Sequence, residues 1–223
     1  MPIKTLRQKT IRSKASRRLP NGSRNKILGV CVLTILLLIL SFGLVRPNPH
    51  AMVTRVAASL VQVTSDDDAG HHVCTGIVVA PQRVLTAAHC LTATPVVNGT
   101  IAQVRKVDPY YDLMLLQVET ATRPQMTFRY TEVIRFEPLT AIGYAFGLPA
   151  VTALSVRVLG TSLAPLPTLP PGILVQPNYI GGMSGGPVVD VRGRIVSMVQ
   201  ESNEGVGYGV GSLLMQAFLL GTD

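Results

Sequence analysis

Apolar residues in this chain occur mostly in short runs that are separated by Gly, Pro, Asn and Asp. Short apolar runs bounded by such turn formers are typical of β strands. Helical periodicity is seen only near the C terminus, where 213–220 predicts one short helix. The pattern therefore predicts a mainly β protein whose strands lie at 57–63, 73–80, 83–87, 101–107, 113–118, 139–144, 151–159, 173–176, 186–190, 194–200 and 206–210.

A longer apolar run at 27–45 contains nineteen residues and no charge. As an α helix it would extend about 28 Å, which suits the ~30 Å hydrocarbon core of a bilayer. Basic residues precede it, so the positive-inside rule predicts a cytoplasmic tail, a single-pass signal anchor and a periplasmic or extracellular domain. A cleaved signal peptide fits less well, because the run is long and no small-residue cleavage site follows it. The basic, acid-free N terminus is also a feature of mitochondrial transit peptides, which would place the domain in the intermembrane space.

Charge is distributed unevenly along the chain. The formal net charge is +8, but nine of the 20 basic residues lie within 1–26, and all 12 acidic residues lie after that segment. The rest of the chain is therefore nearly neutral. Because the excess charge lies beside the apolar run, it does not indicate binding to nucleic acid.

Three motifs along the chain each supply one member of a possible catalytic triad. A serine hydroxyl needs an adjacent imidazole to accept its proton, and that imidazole needs a carboxylate to orient it. We therefore predict Ser184 as nucleophile, His89 as general base and Asp112 as the orienting acid, in TAAHC at 86–90, YDLMLL at 111–116 and GMSGGP at 182–187.

Acyl transfer also requires an oxyanion hole, and the glycines around Ser184 suit this requirement. Attack on a carbonyl creates an oxyanion, which two backbone N–H groups can stabilise. Glycine reaches the backbone conformations that direct an N–H group towards substrate. The N–H groups of Gly182 and Ser184 are the predicted oxyanion hole.

These motifs, in the chain order His, Asp, Ser, resemble the trypsin-like (chymotrypsin-fold) serine peptidases, and among them the compact HtrA-type branch, here without a PDZ domain. The segments 74–80, 112–118, 141–147 and 193–197 extend the resemblance. It implies two six-stranded-type antiparallel β-barrels with the active site in the cleft between them, followed by a short C-terminal helix. The predicted domains are a basic tail (1–26), a transmembrane helix (27–45), a linker (46–53) and a protease domain (54–223).

Further roles follow from the resemblance alone. It implies that Cys74 and Cys90 form a disulfide, and that Ser197 supports the catalytic aspartate. It also implies a primary substrate pocket with Asn178 at its base, and with Tyr179, Met198 and Val199 among its walls. No carboxylate is found at these pocket positions, so cleavage after Lys or Arg is not expected.

One position departs from the pattern of the family's digestive members. Met183 precedes the nucleophile where those enzymes have an aspartate that pairs with a new N terminus, so activation by that ion pair is not expected here.

The predicted function is that of a membrane-anchored serine endopeptidase that cleaves exported polypeptides through an acyl-enzyme. The alternative is a protease-fold binding or regulatory protein whose active site is latent. No cofactor and no metal are expected, because the acidic cluster 66–68 and the histidines that follow it suit a solvated turn. The sequence makes no prediction of oligomeric state.

Overall fold

In the computed structural model, the described residues are 32, 34, 48–68, 70–119, 123–162 and 170–221. The predicted tail and anchor lie outside these ranges apart from Val32 and Thr34, which are helical. Across the described ranges, no helix is both long enough and apolar enough to cross a bilayer. Residues 1–46 and 47–223 form separate compact units, and the features below belong to the second.

The described part of the second unit contains thirteen strands and two α helices. The helices are α1, Pro49–Ala57, and α2, Ser212–Leu220. The strands are β1 Leu60–Asp67, β2 Gly70–Ala80, β3 Arg83–Ala87, β4 Val96–Val97, β5 Thr100–Ile101, β6 Gln103–Asp108, β7 Leu113–Gln117, β8 Pro138–Gly143, β9 Thr152–Ser162, β10 Gly172–Gln176, β11 Pro187–Val189, β12 Ile195–Asn203 and β13 Val206–Gly211.

The first lobe is a curled seven-stranded antiparallel sheet with the order β5-β4-β1-β2-β3-β7-β6. The sequence predicted a closed six-stranded barrel here, and that detail is wrong. The predicted strand 101–107 is divided at Ala102, whose N–H donates to Pro95 O at 2.9 Å. β5 therefore forms one edge of the sheet and β6 forms the other. The chain connects these two edge strands directly, but they are not paired with each other by backbone hydrogen bonds.

The second lobe is a closed six-stranded barrel with the order β10-β13-β12-β11-β8-β9, which confirms the predicted second barrel. Its interior is filled mainly by short β-branched side chains, among them Val156, Val175 and Val188. A second core cluster fills the first lobe and extends under both helices. The C-terminal helix was predicted and is present as α2.

Helix α1 was not predicted, because 46–53 was interpreted as a linker and 57 as the start of a strand. The Asn48 side chain accepts hydrogen bonds from the backbone N–H groups of His50 and Ala51, and Pro49 occupies the first turn. Both features are favourable at a helix N terminus. Met52 and Val56 are buried, so α1 packs against the rest of the second unit.

Candidate active site

His89 and Asp112 are brought together by the pairing of β3 with β7. Ala87 at the end of β3 lies opposite Leu113 at the start of β7, so the residues just beyond them are neighbours. His89 Nδ1 lies 2.7 Å from Asp112 Oδ2, and the His89 backbone N–H donates to Asp112 Oδ1 at 2.8 Å. With Nδ1 engaged by the carboxylate, Nε2 is the ring nitrogen left to accept a proton.

Asp112 lies in a tight turn that begins at Asp108. The Asp108 carboxylate accepts hydrogen bonds from the N–H groups of Tyr110 and Tyr111, both at 3.0 Å. Asp112 itself has a φ of 51°, which is uncommon for a residue other than glycine. Its carbonyl accepts the Ala88 N–H at 3.1 Å, so both the backbone and the side chain of Asp112 are tied to the histidine turn.

Ser184 lies in the turn before β11, close to the end of β3. A Cβ atom added to the adjacent Gly185 would lie 3.0 Å from Ala87 N, two residues before His89. The Ser184 hydroxyl donates to Gln200 O at 3.4 Å. Although all three residues are described, no hydrogen bond joins Ser184 Oγ to His89 in this structure. The complete triad therefore stays a prediction.

The turn around Ser184 leaves two backbone N–H groups free. Within the described part of the chain, the N–H groups of Gly182 and Ser184 donate no hydrogen bond, whereas those of Met183, Gly185 and Gly186 do. These are the two donors predicted for the oxyanion hole, and whether they act as one stays a prediction.

Carbonyl contacts fix the orientation of these two donor peptides. Gly181 O accepts the Phe146 N–H at 2.7 Å, and Met183 O accepts the Gly186 N–H at 2.8 Å. Because the C=O and N–H groups of a trans peptide point in opposite directions, each contact directs the N–H of the next residue away from it. Gly182 is required here, since its φ is 88° and an added Cβ would lie 2.3 Å from Tyr144 O.

Met183 anchors the nucleophile turn by burial. Its side chain is fully buried within the core of the second barrel. Its N–H also donates to Ile180 O at 3.1 Å. This chain thus has a buried apolar side chain at the position where the digestive members of the family have an aspartate.

Ser197, the predicted support for Asp112, makes no hydrogen bond to it through its hydroxyl. Its buried hydroxyl makes no hydrogen bond to any described residue. Gln200, three residues further along β12, makes the contact instead: its Nε2 donates to Tyr111 O at 2.5 Å and to Asp112 O at 3.1 Å. Sequence reasoning missed Gln200, and no local motif around it indicates this role.

The residues of the predicted substrate pocket differ in their exposure. Met198 and Val199 were predicted as walls, and their side chains are buried in the two cores, so their place in a pocket stays a prediction. The strand register changes next to them, since Val199 lies opposite Gly209 and Glu201 lies opposite Tyr208. Asn178 is exposed, and its place at the base of the pocket stays a prediction.

Tyr179 packs inside the second barrel. Its ring covers Gly207, where an added Cβ would lie 2.8 Å from the ring, and its backbone N–H donates to Ser202 Oγ at 3.0 Å. Its hydroxyl is buried without a hydrogen-bond partner among the described residues, and burial raises the pKa of Tyr179 above its usual range.

A cleft of about 400 Å³ opens beside the histidine–aspartate pair. Glu201 is among its lining residues, an acid that the sequence prediction did not place near the substrate. Burial, and then the Asp112 carboxylate, raise the pKa of Tyr208 in the same cleft. The lining residues are His89, Pro109, Tyr110, Asp112, Pro170, Gln200, Glu201 and Tyr208.

The predicted disulfide is present. Cys74 in β2 is bonded to Cys90, directly after His89, with their Cα atoms 6.1 Å apart. These two sulfurs and His89 form the one group of possible metal ligands found among the described residues. Because the sulfurs are bonded to each other, neither is available as a thiolate ligand.

The two-lobed β fold, with a histidine–aspartate pair facing a glycine-rich serine turn, defines a serine endopeptidase. The family described as trypsin-like peptidase domain matches residues 74–198, more than half of the chain, and the protein belongs to that family. Among proteins with curated descriptions, none matches this chain in sequence.

Solved structures of HtrA-type and related proteases share the fold. The active form of the Rv3671c protease from M. tuberculosis is 22% identical with a TM-score of 0.67, covering 79% of this chain and 89% of that one. The HtrA-type protease AlgW, solved with a tripeptide, is 23% identical with a TM-score of 0.67, covering 78% and 64%. The serine endoprotease from Yersinia pestis is 20% identical with a TM-score of 0.66, covering 78% and 66%. At these identities, the similarity establishes the fold alone.

Proposed function

We propose that this protein is a membrane-anchored serine endopeptidase that hydrolyses exported polypeptides through Ser184, His89 and Asp112. The observation that carries the proposal is the double contact between His89 and Asp112, at 2.7 and 2.8 Å, beside a serine turn with two unoccupied N–H donors. A carboxylate that fixes an imidazole in this way prepares its second nitrogen to act as a general base.

The chemistry follows from these positions. The Ser184 hydroxyl turns from Gln200 O towards His89 Nε2, gives its proton to that nitrogen and attacks the substrate carbonyl carbon. The resulting oxyanion accepts hydrogen bonds from the N–H groups of Gly182 and Ser184, each worth about 3 kcal/mol. His89 then protonates the departing amine, which leaves an ester on Ser184. Water repeats the sequence and releases the acid.

The proposed location rests on the charge pattern and the disulfide. The apolar run 27–45 follows nine basic residues, so the tail is placed in the cytoplasm and the protease unit in the periplasm or outside the cell. A structural disulfide beside the active site suits an oxidising compartment. Digestion of spheroplasts with an added protease, which cannot cross the membrane, would test this topology, because only an exported unit is accessible to it.

A second candidate function has one observation in its favour. Ser184 Oγ is hydrogen-bonded to Gln200 O and not to His89, as in a protease-fold binding or regulatory protein whose active site is latent. In that case the cleft would recognise a peptide without cleaving it until a trigger reorients the hydroxyl.

Labelling by a fluorophosphonate probe separates the two candidates. The full chain is purified in detergent micelles and incubated with the probe, beside Ser184→Ala. Stoichiometric labelling of the wild type that is lost in the variant supports the peptidase. Absence of labelling in a folded, disulfide-bonded sample contradicts it and favours the latent protein.

A further inference from the structure

Gln200 is a buried residue of the second lobe whose side chain reaches the first lobe. It lies on β12 and is only 6% exposed. Its Nε2 donates to two consecutive carbonyls of the turn that carries the catalytic acid, Tyr111 O at 2.5 Å and Asp112 O at 3.1 Å. Both hydrogens of one amide nitrogen are thus used on one turn.

That turn needs external support. Asp112 has a left-handed φ of 51°, which costs about 1–2 kcal/mol for a residue with a side chain. Relaxation of this backbone would swing the carboxylate away from His89, since the side chain follows the orientation of its Cα. The hydrogen bonds from Gln200 oppose such a rotation.

The main chain at Gln200 is tied to the nucleophile. Its carbonyl accepts the Ser184 hydroxyl at 3.4 Å. The preceding residue, Val199, accepts the Gly185 N–H and donates to Gly186 O, both at 2.8 Å. One residue therefore contacts the acid's turn through its side chain and lies next to the nucleophile through its backbone.

We propose that Gln200 is the positioning residue that holds the Asp112–His89 pair of the first lobe in register with Ser184 of the second. This inference rests on the proposed function and assigns a role that no motif predicted. The Gln200 side chain touches no reacting atom, so it acts through the Asp112 turn.

The chemistry of the amide fits this role. Two carbonyl acceptors require two N–H donors, and a glutamine supplies both from one nitrogen. The remaining atom, Gln200 Oε1, is buried without a hydrogen-bond partner among the described residues. Its orientation is therefore set by the two donated bonds alone. An ionised carboxylate of the same length would donate neither bond and would add a negative charge beside Asp112.

The first test compares two identical substitutions in the full chain in micelles. Gln200→Met keeps the length of the side chain and removes both donors. Gln216→Met is the matched control, because Gln216 donates only to Ser212 O within α2. With the fluorophosphonate probe, we expect the maximal rate of Ser184 labelling to fall about 10- to 100-fold in Gln200→Met. The probe concentration that gives half-maximal labelling should stay within about twofold of the wild-type value. Equal rates in the two variants would overturn the proposal.

A second variant supplies a readout that a purely structural role would not change. Burial and the nearby Asp112 and Glu201 carboxylates should raise the pKa of the carboxyl introduced by Gln200→Glu. Protonation returns one donor, so the labelling rate relative to wild type at the same pH should rise as the pH falls. Dividing by the wild-type rate removes every pH dependence that the two proteins share. A ratio that does not change with pH would contradict a donor role.

A third readout keeps the test independent of activity. The proton on His89 Nδ1 should give a downfield NMR signal that reports its bond to Asp112. We expect this signal to shift or broaden in Gln200→Met and to stay in place in Gln216→Met. If wild-type Ser184 is not labelled, the proposed peptidase function fails, while this signal still decides the role of Gln200. An unchanged signal in both variants refutes the positioning role.

Discussion

Loss of the Cys74–Cys90 disulfide should destabilise the protease unit by an amount that can be worked out from its position. The bond joins residues 16 apart, and both side chains are buried, at 7% and 4% exposure. It links β2 to the turn that carries His89. The residue after Cys74, Thr75, donates to Ser184 O at 2.8 Å and through its hydroxyl to Gly182 O at 2.9 Å. The disulfide therefore lies between the base and the nucleophile turn.

The magnitude follows from the chain entropy that the bond removes from the unfolded state. For a closed loop of this length, the loss of stability on reduction is about 3 kcal/mol at 25 °C. For a folded unit of this size, each kcal/mol lowers the midpoint of thermal unfolding by about 2–4 °C. Reduction should therefore lower that midpoint by about 6–12 °C.

The assay is thermal unfolding of the full chain in micelles, followed by far-UV circular dichroism with and without reductant. Thiol titration must show that two further thiols appear on reduction. A double variant, Cys74→Ala with Cys90→Ala, is the control and should unfold at the same temperature in both conditions. If full reduction moves the wild-type midpoint by less than about 2 °C, the entropy argument is refuted.

The remaining predictions concern the nucleophile turn and the neighbouring hairpin. Gly182→Ala should lower fluorophosphonate labelling about 100-fold, because the methyl group would collide with Tyr144 O and displace the donor peptide. Met183→Ala should cost about 2–5 kcal/mol of unfolding free energy in denaturant titration, since it empties a fully buried site. Burial alone would raise the pKa of Asp190, but hydrogen bonds from the Arg194 side chain and from the backbone outweigh it and lower that pKa. Its ionised form therefore stabilises the fold at neutral pH, and this contribution is lost as the pH falls through the folded-state pKa. Asp190→Asn should be less stable than wild type at pH 7, and the difference should shrink below about pH 4.

The sequence predicted the parts of the structure whose chemistry lies in contiguous residues. The His89 and Asp112 motifs each end or begin a paired strand, so predicting those strands also predicted that the two side chains meet. The glycines around Ser184 indicated a tight turn with free N–H groups for the same local reason.

What the sequence did not predict depends on register and on contacts between distant segments. The apolar run 101–107 gave no sign that it divides at Ala102, because both halves keep strand-forming residues. The strand register changes between Val199 and Glu201, which no local pattern indicates, and the side chain that reaches the Asp112 turn is that of Gln200 and not that of Ser197. Helix α1 could have been found, since Asn48 followed by proline is a local N-cap signal.

The orientation of the Ser184 hydroxyl is weak evidence for a latent enzyme. Its contact with Gln200 O is 3.4 Å long, beyond the 2.5–3.0 Å of a good O–H···O bond, so a rotation of the side chain towards His89 costs no more than about 1 kcal/mol. The peptide planes that carry the two oxyanion donors are each held by a backbone hydrogen bond of 2.7–2.8 Å, and they would be harder to turn. Because those donors are already free, rotation of the Ser184 side chain is the one rearrangement that the proposed peptidase mechanism asks of this turn. Labelling of Ser184 should therefore be fast without a trigger, and a rate that rises more than about tenfold on adding a peptide would mean that the donor peptides themselves must move.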